Sequence, residues 1–216
     1  MNKAREAPTL TLETRLWATG HQRVAGLDEA GRGAWAGPVV AAAVILPANG
    51  PGILQHLAGV RDSKMLTALQ RERLLEVIQG HAVALGVGVV PPEEIDRLGI
   101  VPATRQAMGL ALRALSPPAS YLLIDHLALP DISVPQHSLP KGDRQVLSIA
   151  AASIVAKVSR DRLMVELEAK YPGYGFAQHK GYGTPQHRSA LADLGPSRIH
   201  RMSFAPLRVL SANPPD

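Results

Sequence analysis

A chain of 216 residues, 46% hydrophobic with a mean hydropathy of +0.02, can bury one proper core and has little left for a second domain. It contains no cysteine, which excludes disulfide scaffolds, thiol nucleophiles and cysteine-based zinc sites together, so any metal must sit on oxygen or imidazole ligands. A formal charge of +5 and a pI of 9.8 favour an anionic partner, nucleic acid first, while an aromatic content of 4% argues against a stacking platform for single strands.

No apolar run approaches the roughly 20 residues that span a bilayer, and the charged, proline-broken start has no following apolar stretch to make a secretory signal. No membrane association and a cytoplasmic location are therefore expected. Residues 1–9 and 211–216 read as disordered tails on a single domain spanning 1–216. The spacing of Leu10, Leu12, Leu16 and Trp17 predicts a helix over 10–19, with Thr11 as its cap and Glu13 in its first turn. A short buried strand follows from Val24 to Asp28, then a glycine-rich bend, Gly31-Arg32-Gly33. Residues 39–46, nearly all apolar, predict a strand covered on both faces.

Asp62-Ser63-Lys64 lies in a polar bend before an amphipathic helix that Thr67 caps and that runs to Gly80. Residues 82–90 read as a third strand, 93–98 as a short helix and 102–115 as a longer one, closed by Ser116-Pro117-Pro118. Residues 121–124 form a strand that ends on Asp125. Residues 131–140 are loop or weak strand, 145–170 a long helix free of glycine and proline, 171–185 irregular, and 186–194 a last helix. The order points to a mixed sheet flanked by helices.

The carboxylates at strand ends carry the chemistry. Asp28 and Glu29 stand where one apolar strand stops, and Asp125 where another does. Neighbouring strand residues face opposite ways, so Asp28 and Glu29 serve one site only if the strand breaks there, which Ala30-Gly31-Arg32-Gly33 would do. Asp143, just ahead of the long helix, could equally be its N-cap. Clustered carboxylates repel unless a cation neutralises them, so the cluster calls for Mg²⁺ or Mn²⁺, and a hard cation beside a basic surface implies phosphoryl transfer on nucleic acid.

The segment Val24 to Gly33, with Gly37-Pro38-Val39-Val40, resembles the signature of type 2 ribonucleases H. So do, in order, Asp62-Ser63-Lys64, Ile124-Asp125, Lys141-Gly142-Asp143, residues 149–161, Tyr174-Gly175-Phe176, residues 179–184 and His200-Arg201-Met202-Ser203-Phe204. The resemblance implies a ribonuclease H-like α/β fold with a mixed five-stranded sheet and a C-terminal helical extension. It implies four metal ligands, Asp28, Glu29, Asp125 and Asp143, holding Mg²⁺ or Mn²⁺. Backbone groups of Gly31, Arg32 and Gly33 would read a ribose 2′-OH, the Tyr182 ring would lie against the next sugar, and Lys64 and Lys180 would contact phosphate. The implied activity is two-metal hydrolysis of the RNA strand of RNA/DNA hybrids, and incision 5′ of ribonucleotides embedded in duplex DNA. Nothing in the sequence demands more than a monomer.

Two departures from the family pattern stand out: Ala34-Trp35 where Pro-Leu is common, and His126, expected to face solvent, where glycine is usual after Asp125. Arg160 and Asp161 read equally as a local ion pair or as functional groups. His179 and His187 are expected to make structural or phosphate contacts rather than bind metal. Arg201 is a possible phosphate contact, Leu16 and Trp17 are packing residues, and Asp62, Glu94 and Asp96 are capping or solvated acids. Two rival functions remain at this level: a noncatalytic nucleic-acid binding module, and a nucleotide-binding phosphotransferase using Gly31-Arg32-Gly33, which lacks the Gly-Lys-Ser/Thr ending of a P-loop.

Overall fold

The computed structural model describes residues 7–48, 50, 52–205 and 207–208. Five strands, β1 (Val24–Ala30), β2 (Val39–Ile45), β3 (Ala84–Val90), β4 (Tyr121–Asp125) and β5 (Gln136–Leu139), form one sheet in the order β3-β2-β1-β4-β5. The β1–β2 and β2–β3 pairs are antiparallel, β1–β4 and β4–β5 parallel, so the sheet is mixed as expected. Around it lie α1 (Thr11–Ala18), α2 (Ile53–His56), α3 (Ala68–His81), α4 (Pro92–Leu98), α5 (Ile100–Arg113), α6 (Leu147–Lys170), α7 (Phe176–His179) and α8 (Pro185–Leu194). Among the described residues, no helix is long and apolar enough to cross a membrane.

Helices cover both faces, which explains why every residue of β2 is buried and why its sequence is a continuous apolar run. Val24, Ala30, Ala42, Val44 and Leu123 share one core with α6 and α3; Ala25, Leu27, Ala41, Ala43, Leu122 and Ile124 share the other with α5. A third, smaller cluster packs α7, α8 and the end of α6 around Phe176.

The long helix α6 organises the rest. Its N-cap position, Val146, supplies no side-chain hydrogen bond, so the cap that Asp143 might have given is absent. Glu13 does the work from α1 instead: its side chain is fully buried and Oε1 accepts from the Ser148 N–H at 2.9 Å, placing an acid at the positive end of the helix. Thr9, expected in a loose tail, exchanges backbone hydrogen bonds of 3.0 Å with Gln145 and Leu147 beside that helix start. Residues 1–6 and 211–216 lie outside the described residues.

Other differences are local. Thr11 is the first residue of α1 rather than its cap. The expected Thr67 cap is present and forms a reciprocal capping box with Gln70. α5 begins two residues before Pro102, because the first turn of a helix makes no use of the N–H that proline lacks. The weak strand near 136 becomes a parallel edge strand through its pairing with β4, and one helical turn, α7, forms in the stretch expected to be irregular.

Candidate active site

β1 and β4 run parallel with Leu27 opposite Ile124, so Asp28 and Asp125 stand side by side one residue further on. Both lie on the α6 side of the sheet, by alternation from Val24 and Leu123. β1, read from the sequence as ending at Asp28, runs two residues further to Ala30, with Glu29 opposite Ala41, and ends there at the Gly31 bend. Glu29 therefore belongs by alternation to the other face and reaches the site at the sheet's end. Lys141 takes a left-handed conformation (φ 57°) and leads into a 3₁₀ turn, Gly142–Arg144, that carries Asp143. The Gly142 N–H donates to Asp125 Oδ1 at 2.7 Å and locks that turn to the end of β4.

The four carboxylates share one electrostatic environment. Burial first, then the charges of Glu29, Asp125 and Asp143, push Asp28 well above the usual carboxylate range, against a 2.7 Å hydrogen bond from the Glu29 N–H. Burial also raises Glu29, with Arg32 opposing it through a 3.3 Å ion pair. Burial and the nearby charges of Asp62 and Asp125 push Asp143 up to about 6.

Lys64 joins these acids: burial opposes its charge, but Asp28, Asp62, Asp143 and Asp125 together raise it. Asp62, expected to cap or to be solvated, does cap, accepting from the Lys64 N–H at 3.0 Å, yet it is 1% exposed and paired with Arg144 at 3.2 Å. It is a fifth acid bordering the site, and only the 82-residue separation of that pair hid it from the sequence.

Among the described residues, no three Asp, Glu or His side chains are already gathered around one point as ion ligands. The donor chemistry nonetheless fits a hard divalent cation. The oxygens are carboxylates, neighbouring acids raise the proton affinity of Asp28, Glu29 and Asp143, and Glu29 Oε2 is buried without a hydrogen-bond partner. A cation would remove the repulsion that keeps the four apart and satisfy that oxygen.

At the end of β1, the bend at Gly31 (φ 93°) turns on an Ala34 N–H to Gly31 carbonyl hydrogen bond of 3.2 Å and leaves Gly33 open to solvent. Tyr182 is 36% exposed, with its ring 5.4 Å from the Arg160 guanidinium. Lys180 is not brought to the carboxylates. Its ammonium turns back to the Ala177 carbonyl, and its charged neighbours are Asp161, Lys157, Arg71 and Arg160, beside a groove between α3, α6 and α7. Asp161 pairs with Lys157 at 2.7 Å and Arg71 at 3.5 Å, whereas among the described residues no carboxylate lies within ion-pair distance of Arg160, so the expected local pair does not involve it. Asp96 holds the loop after Arg201, accepting from the Met202 and Ser203 N–H groups, and Glu94 pairs with Arg97. Trp35 packs against Gly183, with Arg188 5.1 Å from its ring, and so braces the Tyr182 segment.

His126 is exposed as expected and sits at φ 60°, a conformation that explains the usual glycine. His126→Gly is expected to raise stability by about 1 kcal/mol, read from denaturant midpoints at constant slope.

The buried histidines, His179, His187 and His200, make structural contacts. The Ser197 N–H donates to His200 Nδ1 at 2.9 Å, leaving the proton of His200 on Nε2, 3.0 Å from His187 Nε2; His187 Nδ1 then donates to the Tyr182 carbonyl at 3.1 Å. This chain exists only with both rings neutral, and burial pushes both to about 4. NMR should therefore show neutral imidazoles for these two at pH 5.5. Their folded values lie below the unfolded 6.5, so their contribution to stability is complete above pH 6.5 and is lost as the pH falls toward 4, by up to about 1.4 kcal/mol per pH unit for each ring.

The sequence model of the Ribonuclease HII family matches residues 25–207. Ribonuclease HII of Chloroflexus aurantiacus is 55% identical over 203 residues, covering 93% of this chain and 94% of that protein. Ribonuclease HII of a Geobacter strain, M21, is 53% identical, covering 96% and 88%. Among solved structures, ribonuclease H2 from Pyrococcus horikoshii OT3 superposes with a TM-score of 0.73 at 27% identity, covering 88% of this chain and 97% of that one. Bst-RNase HIII, solved in complex with Mn²⁺, gives 0.68 at 23% identity, covering 89% and 70%, and bears on the fold alone.

Proposed function

We infer the function of this chain from the family to which it belongs, ribonuclease HII. It is an endoribonuclease of the ribonuclease H type. Our reading of its action is hydrolysis of the RNA strand in RNA/DNA hybrids and incision of duplex DNA 5′ of an embedded ribonucleotide, leaving 5′-phosphate and 3′-OH ends. The observation that carries it is the convergence of Asp28, Glu29, Asp125 and Asp143 from two parallel strand ends and the turn before α6, close enough that burial and neighbouring acids raise the proton affinity of Asp28, Glu29 and Asp143. A cytoplasmic location and action as a monomer go with this reading.

Asp28, Glu29, Asp125 and Asp143 would hold Mg²⁺ or Mn²⁺. Bound there, the cations supply a water of lowered pKa and neutralise charge on the leaving 3′-oxygen. Lys64, kept protonated by the surrounding acids, binds a phosphate oxygen next to the scissile bond. The Gly31-Arg32-Gly33 bend presents backbone groups to the 2′-OH, the one group that separates RNA from DNA at a given residue. Tyr182 offers an exposed ring to the adjoining sugar.

The test is a labelled DNA duplex carrying one ribonucleotide, incubated with Mg²⁺ or Mn²⁺ and with EDTA. Nicking on the 5′ side of the ribonucleotide, absent in EDTA, is the expected result. An intact duplex alongside a cut long hybrid would overturn the substrate reading while sparing the site. Tight, EDTA-insensitive binding without cleavage of either would make the protein a binding module.

A further inference from the structure

We propose that Arg160 is a positioning residue that fixes the two halves of the ribonucleotide reader, the Gly31–Gly33 bend and Tyr182, into one rigid unit. The inference rests on the reading of those residues as contacts to the ribose. Arg160 projects from α6 and is fully buried, and among the described residues no carboxylate lies within ion-pair distance of it. Instead its guanidinium spends three donors on main-chain carbonyls: Nε to Pro38 at 2.9 Å, Nη2 to Ala36 at 3.1 Å and Nη1 to Lys180 at 2.9 Å. The first two acceptors lie just after the bend; the third lies two residues before Tyr182. One planar group thus holds both segments.

The contact is close on the bend side as well. A Cβ on Gly31 would come within 2.0 Å of Arg160 Nε, so the bend rests directly on the arginine stem. The two segments also touch each other, through the Trp35 N–H donating to the Gly181 carbonyl at 2.8 Å. Burying an unpaired cation is costly, and a hydrocarbon would fill the same space without that cost. What a hydrocarbon cannot do is donate in three fixed directions, which the guanidinium fork does and a lysine ammonium does not. The geometry therefore points to registration of the two segments rather than to charge.

The test compares Arg160→Lys, Met164→Ala and Tyr182→Ala with the wild type. Met164 is equally buried one turn along α6 and packs under Gly37, so it controls for loss of packing. Two quantities are read in Ca²⁺, with intact substrate verified on a gel: affinity for a duplex with one ribonucleotide, and affinity for the same duplex in all-DNA form. Cleavage rates in Mg²⁺ or Mn²⁺ are read in parallel. For R160K the affinity ratio should fall toward one with all-DNA affinity held within about twofold, and cleavage should drop about 100-fold, the scale of an ångström-size misplacement. M164A should keep the wild-type ratio.

A ratio unchanged in R160K but lost in Y182A overturns the positioning role and leaves the reader in place. A ratio unchanged in Y182A as well overturns the reader reading, and this inference with it. A ratio that falls equally in M164A shows a general packing effect and also overturns it. If R160K does not fold, the shorter, neutral R160Q is read in the same way. If neither folds, Arg160 holds the domain rather than the reader, and the proposal fails.

Discussion

Asp28→Asn is expected to abolish cleavage while making the metal-free protein more stable. The carboxylate is 7% exposed and is pushed well above the usual range by burial and by three acidic neighbours. Its folded proton affinity exceeds its unfolded one, so the folded state is favoured at low pH and loses stability as the pH rises from about 3.8 through the raised value. Asparagine is close to isosteric and can still accept the Glu29 N–H, but it carries no charge to desolvate or repel. A gain of about 1 kcal/mol in EDTA at neutral pH is expected, the usual scale when a functional site is relieved of strain. Activity should fall by about 100-fold or more, at least the cost of losing one electrostatic group at a reacting centre.

Thermal unfolding with and without Mn²⁺ checks both halves. Ligand linkage should raise the melting temperature of the wild type with added cation and raise that of the variant much less. A variant less stable than the wild type in EDTA would show that the four carboxylates are not in mutual conflict, and would remove the argument for a cation.

Gly26→Ala is expected to cost about 3 kcal/mol or more, at the upper end of overpacking, and to lower activity through a residue that touches no substrate. A Cβ at Gly26 would lie 2.1 Å from the Ser148 carbonyl carbon and 2.4 Å from the Ile149 nitrogen, both main-chain atoms of α6. Backbone cannot rotate aside as a side chain can, so α6 must lift from β1. That shift moves the Gly142–Arg144 turn with its Asp143 away from Asp28 and strains the Ser148–Glu13 cap. Denaturant unfolding and cleavage of the one-ribonucleotide duplex report the two effects. A variant of wild-type stability would mean that the approach of helix to strand is not fixed here.

Much of the site was readable because local pattern and local chemistry agreed. Asp125 follows three apolar residues that fix a buried strand, and its place at the end of β4 is where such a run leaves it. The Thr67 capping box and the fully apolar β2 were legible for the same reason: each depends on residues within a turn or on a simple period. Lys64 joined the site on the strength of the family pattern; nothing in its local sequence separates it from a surface lysine. The cap that Asp62 supplies was legible, but its burial against Arg144 and the carbonyl partners of Arg160 were not, because those partners lie 82 residues away in one case and 20 to 124 in the other.

The sequence by itself determined the alternation of apolar strands and helices, the exclusion of thiol chemistry and the family pattern of acids at strand ends. Tertiary structure alone decided the rest: that Glu29 is still paired within β1 and belongs to its opposite face, that α6 is capped by Glu13, and that a buried arginine, rather than an ion pair, ties the bend to Tyr182. The physical reason is common to all three. Periodicity and caps are set by neighbours in the chain, whereas a carboxylate's proton affinity and a buried donor's partners are set by whatever the fold brings within a few ångströms.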